Sequence, residues 1–306
     1  MDQMAELRNT VQGSLLENEP MAKHTSYGIG GPAWAYITPN DKFDLQNILH
    51  FASAENIQVY FVGSGSNLLV ADEGIDGIVI TLGKSFTHLE INGSHIYAET
   101  GVMLGRMVKE CIKRNLSGLE SMIGVPGTLG GALIMNAGAF GGEISNCLEK
   151  VEVMTLAGEL KKYSANEIDF SYRHSTFRED EIIIGAYFEL EEIDADEIQE
   201  KRNSASKGRK ANQPLRFRSA GSVFKNPKPG LAAGYLIDQA GLKGTRSGDA
   251  EISEKHANFF INHGTAKASD IAKLIRIARK EVKEQFDVML ELEIKTLGFK
   301  EDVFTP

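Results

Sequence analysis

The feature that most constrains this chain is a glycine-rich stretch at residues 121–143, SMIGVPGTLGGALIMNAGAFGGE. Its seven glycines surround a short apolar run: Gly124, Gly127, Gly130, Gly131, Gly138, Gly141 and Gly142. Glycine lacks a Cβ, so it adopts positive φ angles and lets a ligand or another backbone approach closely. The turn at residues 127–131 is predicted to open a helix whose N-terminal amides favour an anion such as a pyrophosphate. The alternative is a turn that only lets two elements pack.

A second glycine cluster, GSGSN, occupies residues 63–67 of the segment VYFVGSGSNLLV (residues 59–70), directly after the apolar run VYFV. Two such loops suit one long, phosphate-containing ligand. The second loop is not a Rossmann fingerprint, because a third glycine, a helix directly after it and an acidic residue about 20 positions further on are all missing. Residues 68–70 instead predict a short buried strand or turn. The sequence therefore favours backbone amides around a phosphate on a different fold.

Composition limits the partners that this chain can have. Its 306 residues suggest two or three domains. A formal net charge of −9 argues against nucleic acid, because a phosphate backbone would be repelled. Cys111 and Cys147 belong to no CxxC or Cys/His cluster, so neither a metal site nor a disulfide framework is inferred, and a reducing cytoplasm fits. No apolar run approaches about 18 residues, so we expect neither a signal peptide nor a membrane span.

Hydrophobic periodicity predicts alternating strands and helices along the chain. A strand, a helix over residues 41–56 and another strand precede GSGSN, and a second helix covers residues 104–112. Strands are predicted at 151–155 and 182–190, with a capping box at 164–167 between them. A polar helix at 194–213 contains a domain boundary near residue 203. The last predicted elements are a strand-like segment at 221–226, a helix at 232–240, a strand at 257–262, a helix capped by Ser269 and a final strand at 286–294.

Six motifs, in their order along the chain, resemble the UDP-N-acetylenolpyruvoylglucosamine reductase (MurB) family: GSGSN, IGVPGTLGGALIMNAGAFGGE, SYRHSTF, SAGSVFKNP, LIDQAGLKG and SEKHANFFIN. The resemblance implies an α+β protein. An FAD-binding fold of the vanillyl-alcohol-oxidase (PCMH) type would occupy residues 20–202, with subdomains at about 20–83 and 84–202. A C-terminal α/β substrate-binding domain would occupy residues 203–300.

The resemblance also implies an activity. The family reduces UDP-N-acetylglucosamine enolpyruvate to UDP-N-acetylmuramate, using non-covalent FAD and NADPH as hydride donor. This is a cytoplasmic step of peptidoglycan precursor synthesis, and so of cell-wall formation, cell shape and division. The implied partners are small molecules, a UDP-sugar and NADPH, with no nucleic acid, membrane or metal.

Several residues match the family's functional positions. Catalytic roles fall on Arg173, which would hold the substrate carboxylate, Ser222, the proton donor, and Glu293, which would stabilise the enol form. Without the resemblance, Arg173 is a surface arginine, Ser222 a turn hydroxyl and Glu293 a solvated strand carboxylate. The substrate-side residues are Lys225, Asn226, His256 and Lys210. The expected FAD-binding residues are Gly63, Ser64, Gly65, Ser66, Asn67, Gly124, Pro126, Gly127, Thr128, Gly130, Gly131, Asn136 and Gly138.

The sequence departs from the family pattern in two respects, and two other functions remain as alternatives. The interval between Arg173 and Ser222 is too short for the insertion that carries a substrate-covering tyrosine in one branch, so the chain matches the shorter branch. Lys295 stands where an arginine commonly follows the glutamate. A flavin oxidase of the same fold would be supported by a histidine for covalent FAD attachment, and the two glycine regions contain none. A non-catalytic flavin or nucleotide-sugar sensor would tolerate loss of Arg173, Ser222 or Glu293.

Overall fold

The computed structural model describes residues 2–306, which contain seven α-helices and twenty strands. The helices are α1 (Gln3–Thr10), α2 (Lys42–Ala54), α3 (Leu104–Ile112), α4 (Leu129–Ile134), α5 (Ala195–Asn212), α6 (Ala233–Gln239) and α7 (Ala268–Phe286). The strands up to the glycine-rich stretch are β1 (Ser14–Pro20), β2 (Pro32–Thr38), β3 (Val59–Val62), β4 (Leu68–Val70), β5 (Ile75–Thr81), β6 (Leu89–Asn92), β7 (His95–Glu99) and β8 (Leu116–Ser117). The remaining strands are β9 (Gly138–Ala139), β10 (Gly142–Glu143), β11 (Leu148–Thr155), β12 (Leu160–Ser164), β13 (Phe170–Ser171), β14 (His174–Ser175), β15 (Glu181–Glu189), β16 (Glu191–Glu192), β17 (Arg246–Ser247), β18 (Ala250–Ile252), β19 (Phe260–Asn262) and β20 (Lys295–Leu297).

The chain forms two compact units, both discontinuous in sequence. The first unit comprises residues up to 17, 35–64 and 77–209, and the second comprises residues 18–34, 65–76 and 210–306. The GSGSN loop therefore changes unit after Ser64. Helix α5 contains both the last change of unit, after Arg209, and the boundary predicted near residue 203.

The first unit has its core under a five-stranded antiparallel sheet of order β12-β11-β15-β7-β6. Helix α3 packs one apolar stripe into this core, with Leu104, Met107 and Val108 buried, as the sequence predicts. A separate four-stranded sheet has the order β1-β2-β5-β3, in which β3 and β5 are parallel. Helix α2, also predicted, connects β2 to β3, which is the usual way to join strands through a helix on one face of a sheet.

The second unit is built around α7, whose buried face contains Ile271, Leu274, Ile275, Ala278 and Val282. A three-stranded sheet of order β17-β18-β19 and the short parallel pair β20-β4 belong to the same unit. This pair joins residues that follow GSGSN to residues near the C-terminus. Residues 68–70 are all buried in strand β4, which confirms the predicted buried strand.

The predicted final strand at residues 286–294 is wrong. Helix α7 continues to Phe286, and Asp287 ends it in the left-handed region at φ 56°. The following residues are extended but form no ladder, and the regular strand begins only at Lys295. Leu290 and Ile294 are nevertheless buried and Val288 and Leu292 partly buried, so the predicted apolar face is correct from residue 288 on, whereas Phe286 is exposed. The alternation of apolar residues indicates which side chains are buried, and an extended segment can bury alternate side chains without the hydrogen bonds of a strand.

The start of α7 and the segment at residues 221–226 also differ from expectation. Lys267, and not Ser269, precedes the helix. The carboxylate of Asp72 accepts hydrogen bonds from the Ala268 and Ser269 backbone N–H groups and from the Ser269 hydroxyl, so the cap comes from a residue distant in sequence. Residues 221–226 form only isolated bridges. Within residues 2–306, no helix is long and apolar enough to cross a membrane.

Candidate active site

The glycine-rich stretch opens helix α4, as predicted. Thr128 caps the helix, and its hydroxyl accepts the Gly131 N–H at 3.5 Å. Gly124 and Gly127 have φ angles of +77° and +136°, which other residues rarely adopt. Because α4 has only 6 residues, its macrodipole is small, and an anion here would depend on individual amides.

Glycines of the two motifs serve different purposes within the first unit. A Cβ on Gly130 would lie 2.1 Å from Thr100 Oγ1, and one on Gly63 would lie 2.6 Å from Thr128 Oγ1. These two glycines are therefore required by packing, the alternative that the sequence leaves open. A Cβ on Gly131 would meet nothing closer than 3.7 Å. Packing does not require a glycine there, whereas a bulky ligand beside the backbone would.

Three buried side-chain atoms near these loops lack a hydrogen-bond partner among the described residues: Ser64 Oγ, Ser121 Oγ and Asn136 Oδ1. Each buried polar atom without a partner costs about 1–3 kcal/mol. Asn136 is fully buried with φ 40°, and its Nδ2 donates to Glu143 Oε2 at 2.8 Å and to the Ser171 carbonyl at 3.2 Å. The first unit thus offers spare polar atoms next to glycines, which fits the phosphates and hydroxyls of a dinucleotide such as FAD. Sequence reasoning missed Ser121, although it begins the glycine-rich stretch.

Arg173 belongs to the same unit as this stretch. It occupies the two-residue turn between β13 and β14, in the left-handed region at φ 57°. Its Nη2 donates to the Gly138 carbonyl at 3.3 Å, and its guanidinium lies 5.0 Å from the centre of the Tyr172 ring. A left-handed residue other than glycine costs roughly 1–2 kcal/mol, and such strain concentrates at functional sites. The structure therefore places the Arg173 guanidinium against the backbone of Gly138.

Ser222 and Glu293 lie on neighbouring segments of the second unit. The Glu293 N–H donates to the Val223 carbonyl at 2.8 Å, and the Lys225 N–H donates to the Glu291 carbonyl at 2.9 Å. Ser222 follows Gly221, which has φ +77°, and forms an isolated antiparallel bridge with Phe259. Both residues are partly buried, so Glu293 is not a fully solvated carboxylate.

Asn258 is a site residue that sequence reasoning missed. It is 3% exposed, and its carbonyl accepts the Val223 N–H at 2.8 Å. Its side-chain Oδ1 accepts the Phe224 N–H at 2.9 Å, while Nδ2 donates to the Phe224 carbonyl at 2.8 Å. One amide therefore satisfies both backbone groups of Phe224 and fixes the segment that carries Ser222. The only signal in the sequence is an asparagine between apolar residues in HANFF, which does not identify its partner.

The GSGSN loop contributes its second half to the same unit. Gly65 has φ +66°, and a Cβ there would lie 1.9 Å from the His24 carbonyl oxygen, so its glycine is required by the fold. The Ser26 N–H donates to the Gly65 carbonyl at 3.0 Å. Asn67 contacts Glu293: its Nδ2 donates to the Glu293 carbonyl at 3.1 Å.

The predicted substrate-side residues lie at different places on the second unit. Lys225 Nζ is 3.9 Å from Glu291 Oε2, and Asn226 Oδ1 accepts the Ala233 N–H at 3.1 Å at the start of α6. Lys210 is exposed, and its carbonyl accepts Lys255 Nζ at 2.9 Å. Asn226 thus has a capping role that the sequence did not indicate.

His256 is half-buried against Phe259, with ring centres 4.8 Å apart. Burial lowers the pKa of this imidazole below its usual value, and the charge of Lys243 adds to the effect. The Asn258 N–H donates to Nδ1 at 3.3 Å, so we assign the proton of the neutral ring to Nε2. His256 can therefore donate one hydrogen bond through Nε2 while remaining uncharged.

Known proteins resemble this chain over nearly its whole length. A family model for the C-terminal domain of UDP-N-acetylenolpyruvoylglucosamine reductase matches residues 213–297, and a model for an FAD binding domain matches residues 33–164. The chain is 43% identical to a UDP-N-acetylenolpyruvoylglucosamine reductase of Caldanaerobacter subterraneus over 290 residues, covering 94% of this chain and 95% of that protein. A Carboxydothermus hydrogenoformans protein of the same name is 42% identical over 295 residues, covering 96% of this chain and 97% of its own.

A solved structure agrees with these sequence matches. The crystal structure of the UDP-N-acetylenolpyruvylglucosamine reductase from Thermus caldophilus aligns with a TM-score of 0.80 and 36% identity, covering 94% of this chain and 99% of that one. Together the matches confirm the predicted α+β architecture, with an FAD-binding domain followed by a C-terminal domain of this reductase type.

Proposed function

Because the chain belongs to the UDP-N-acetylenolpyruvoylglucosamine reductase family, we propose that it reduces UDP-N-acetylglucosamine enolpyruvate to UDP-N-acetylmuramate, a step of peptidoglycan precursor synthesis. The structural observation that carries the proposal is the 2.8 Å hydrogen bond from the Glu293 N–H to the Val223 carbonyl. This bond joins the backbone segments of Ser222, the proposed proton donor, and Glu293, which is proposed to stabilise the enol form. The relatives' shared name favours the reductase over the flavin oxidase and over the non-catalytic sensor.

The matched FAD binding domain assigns FAD as cofactor. When bound, FAD would supply the hydride chemistry, accepting hydride from NADPH and delivering it to the methylene carbon of the enolpyruvyl group. We propose that its polar parts contact the backbone of both glycine motifs, with contributions from Ser64, Thr128 and Asn136. The unpartnered oxygens of Ser64 and Asn136 support this assignment, because they would gain hydrogen bonds.

Arg173 is proposed to bind the substrate carboxylate. Hydride addition at the methylene carbon leaves negative charge on the neighbouring carbon, and this charge delocalises into the carboxylate. A guanidinium offers parallel N–H donors that match two carboxylate oxygens, so it binds more strongly as this charge develops. The left-handed backbone and the bond to the Gly138 carbonyl support a fixed position for Arg173 before substrate binds.

Ser222 is proposed to deliver the proton that completes the reduction, with Glu293 stabilising the enol form of the substrate. A serine hydroxyl is a weak acid, but a carbon that carries enolate charge is a strong enough base to accept its proton. A positioned general acid of this kind contributes about 10²–10⁴-fold. Proton delivery depends on distance, and the fixed backbone of residues 222–224 supports it.

The remaining substrate contacts are proposed for the second unit. Lys225 and Lys210 offer positive charge for the diphosphate of the UDP-sugar, which a chain of net charge −9 must supply locally. His256 offers its Nε2 N–H as a neutral donor, and Asn226 is proposed as a further substrate contact. We also infer a cytoplasmic location, where NADPH and nucleotide sugars are available together.

An anaerobic assay tests the proposed function. The purified protein with bound FAD is mixed with NADPH, and the visible flavin absorbance is followed before and after addition of UDP-N-acetylglucosamine enolpyruvate. The reductase predicts bleaching by NADPH, recovery of colour with the substrate, and UDP-N-acetylmuramate by mass spectrometry. Recovery of colour with oxygen but not with the enolpyruvyl substrate would instead identify an oxidase. Replacing NADPH by NADH in parallel determines which donor the protein uses.

A further inference from the structure

We propose that the side chain of Asn67 is a positioning residue that fixes the backbone of Glu293, which gives the last residue of the GSGSN loop a role beyond cofactor binding. This inference rests on the proposed function, since Glu293 acts on the substrate there. The resemblance assigns Asn67 only to FAD, and a backbone amide suffices for a phosphate contact. In the structure, the Asn67 side chain instead donates a hydrogen bond to the Glu293 carbonyl.

Asn67 makes two hydrogen bonds to the backbone of the segment that contains Glu293. Nδ2 of Asn67 donates to the Glu293 carbonyl at 3.1 Å, and the Asn67 carbonyl accepts the Lys295 N–H at 2.9 Å. Immediately afterwards, residues 68–70 pair in parallel with residues 295–297. Asn67 therefore extends the β4–β20 pairing by two further hydrogen bonds, up to Glu293 itself.

Glu293 is held from its other side by Val223, whose carbonyl accepts the Glu293 N–H at 2.8 Å. Both backbone groups of Glu293 thus have fixed partners, one on the segment of Ser222 and one on the GSGSN loop. The neighbouring Ile294 is 3% exposed, so the segment is also fixed by burial. The hydrogen bond from Asn67 comes from a side chain, so a point mutation can remove it without removing the backbone bond to Val223.

This placement matters because residues 287–294 form no regular strand. Individual hydrogen bonds, and not a ladder, define the position of this segment, and small displacements of a catalytic group reduce rates strongly. The Asn67 amide supplies one of those bonds directly at the residue that needs positioning. Without it, we expect Glu293 to sample more positions while the β4–β20 strands remain paired.

The test compares Asn67→Ala and Asn67→Asp with the parent protein. Aspartate keeps the size of the side chain but, when ionised, cannot donate to the Glu293 carbonyl. Both variants are assayed with FAD added to saturation, so that a change in affinity for FAD does not enter the rate of either half-reaction. Recovery of colour with the enolpyruvyl substrate should slow about fivefold to tenfold, the effect of one lost hydrogen bond.

A double-mutant cycle with Glu293→Gln separates positioning from a general structural effect. If Asn67 acts through Glu293, then N67A combined with E293Q should be no slower in the substrate step than E293Q alone. If the slowing caused by N67A and the slowing caused by E293Q multiply in the double variant, the proposal is overturned. Equal slowing of NADPH bleaching and of colour recovery in FAD-saturated N67A and N67D would overturn it as well.

Hydrogen exchange gives a readout that does not depend on activity. Amides of a peptide covering residues 288–297 should exchange faster in N67A than in the parent, both with and without FAD, while peptides from α7 should be unchanged. Unchanged exchange in the 288–297 peptide would also overturn the proposal. A parent protein that never recovers colour with substrate contradicts the proposed function instead, and the exchange experiment still tests the contact.

Discussion

The Glu293 N–H donates to the Val223 carbonyl at 2.8 Å, although seventy positions separate Glu293 from Val223 in the chain, so the segments of Glu293 and Ser222 are neighbours. The Val223 N–H in turn donates to the Asn258 carbonyl at 2.8 Å. Three segments that are far apart in sequence are thereby fixed side by side. The proposed proton donor, Ser222, and the Glu293 carboxylate lie on segments that these backbone hydrogen bonds hold together without a large sheet.

Replacement of Ser222 by alanine should separate the two half-reactions. Bleaching by NADPH needs no proton at the substrate carbon, so Ser222→Ala should be bleached at close to the parent rate. Recovery of colour with the enolpyruvyl substrate should slow by about 10²–10⁴-fold, because the general acid is gone. Anaerobic stopped-flow absorbance measures both steps.

Ser219→Ala is the matched control, because Ser219 lies three residues before Ser222 in the same segment and is also partly buried. It should leave both steps near the parent rate. A Ser222→Ala protein that recovers colour as fast as the parent would show that another group donates the proton.

Two adjacent glycines should respond differently to a valine. At Gly131 a Cβ would be in ordinary contact with Thr128 Oγ1 at 3.7 Å, so the Gly131→Val protein should fold but lose FAD and purify with little colour. Gly130→Val meets Thr100 Oγ1, and should lower the unfolding temperature even without cofactor. FAD per chain from absorbance and thermal unfolding of the apoprotein measure the two effects. Full FAD content in a folded Gly131→Val protein would contradict an FAD contact at this backbone.

Much of the fold follows from the sequence because burial is periodic. The stripes of α2 and α3 and the alternation of β11 predict those elements, since each buries one face against a sheet. The same reasoning is wrong at residues 286–294, where an apolar alternation occurs in an extended segment without a ladder. Whether such a segment finds a strand partner depends on distant residues, which periodicity does not report.

The sequence predicts a residue of the candidate site only where that residue is needed for a special backbone conformation or belongs to a recognisable motif. Glycines at positive φ, such as Gly127, leave a trace in the sequence because other residues rarely adopt that conformation. The roles of Asn67, Asp72 and Asn258 leave none, because each is a polar residue bonded to backbone that is distant in the chain. Their partners are set by tertiary structure alone.

Loss of the Asn258 side chain should destabilise the second unit. Asn258→Ala leaves the buried N–H and carbonyl of Phe224 without partners, and each such group costs about 1–3 kcal/mol, so we expect about 2–4 kcal/mol in total. Urea unfolding measures the change in the free energy of unfolding. Asn92→Ala, at the exposed end of β6, is the control and should change it by no more than about 0.5 kcal/mol. Equal stabilities of Asn258→Ala and the parent would exclude the proposed clamp on the segment of Ser222.

His256 should make the free energy of unfolding depend on pH in the acidic range. Burial lowers the pKa of the folded imidazole, so the unfolded chain binds a proton more readily than the folded protein does. The contribution of His256 is therefore fully present above its unfolded pKa of about 6.5 and is lost as the pH falls from there through the lower folded pKa. His256→Gln removes this titration and keeps an amide that can hydrogen bond. The difference in free energy of unfolding between parent and variant should shift against the parent as the pH falls from about 8 to 5. A difference that is constant over this range would mean that the imidazole titrates alike in the folded and unfolded protein.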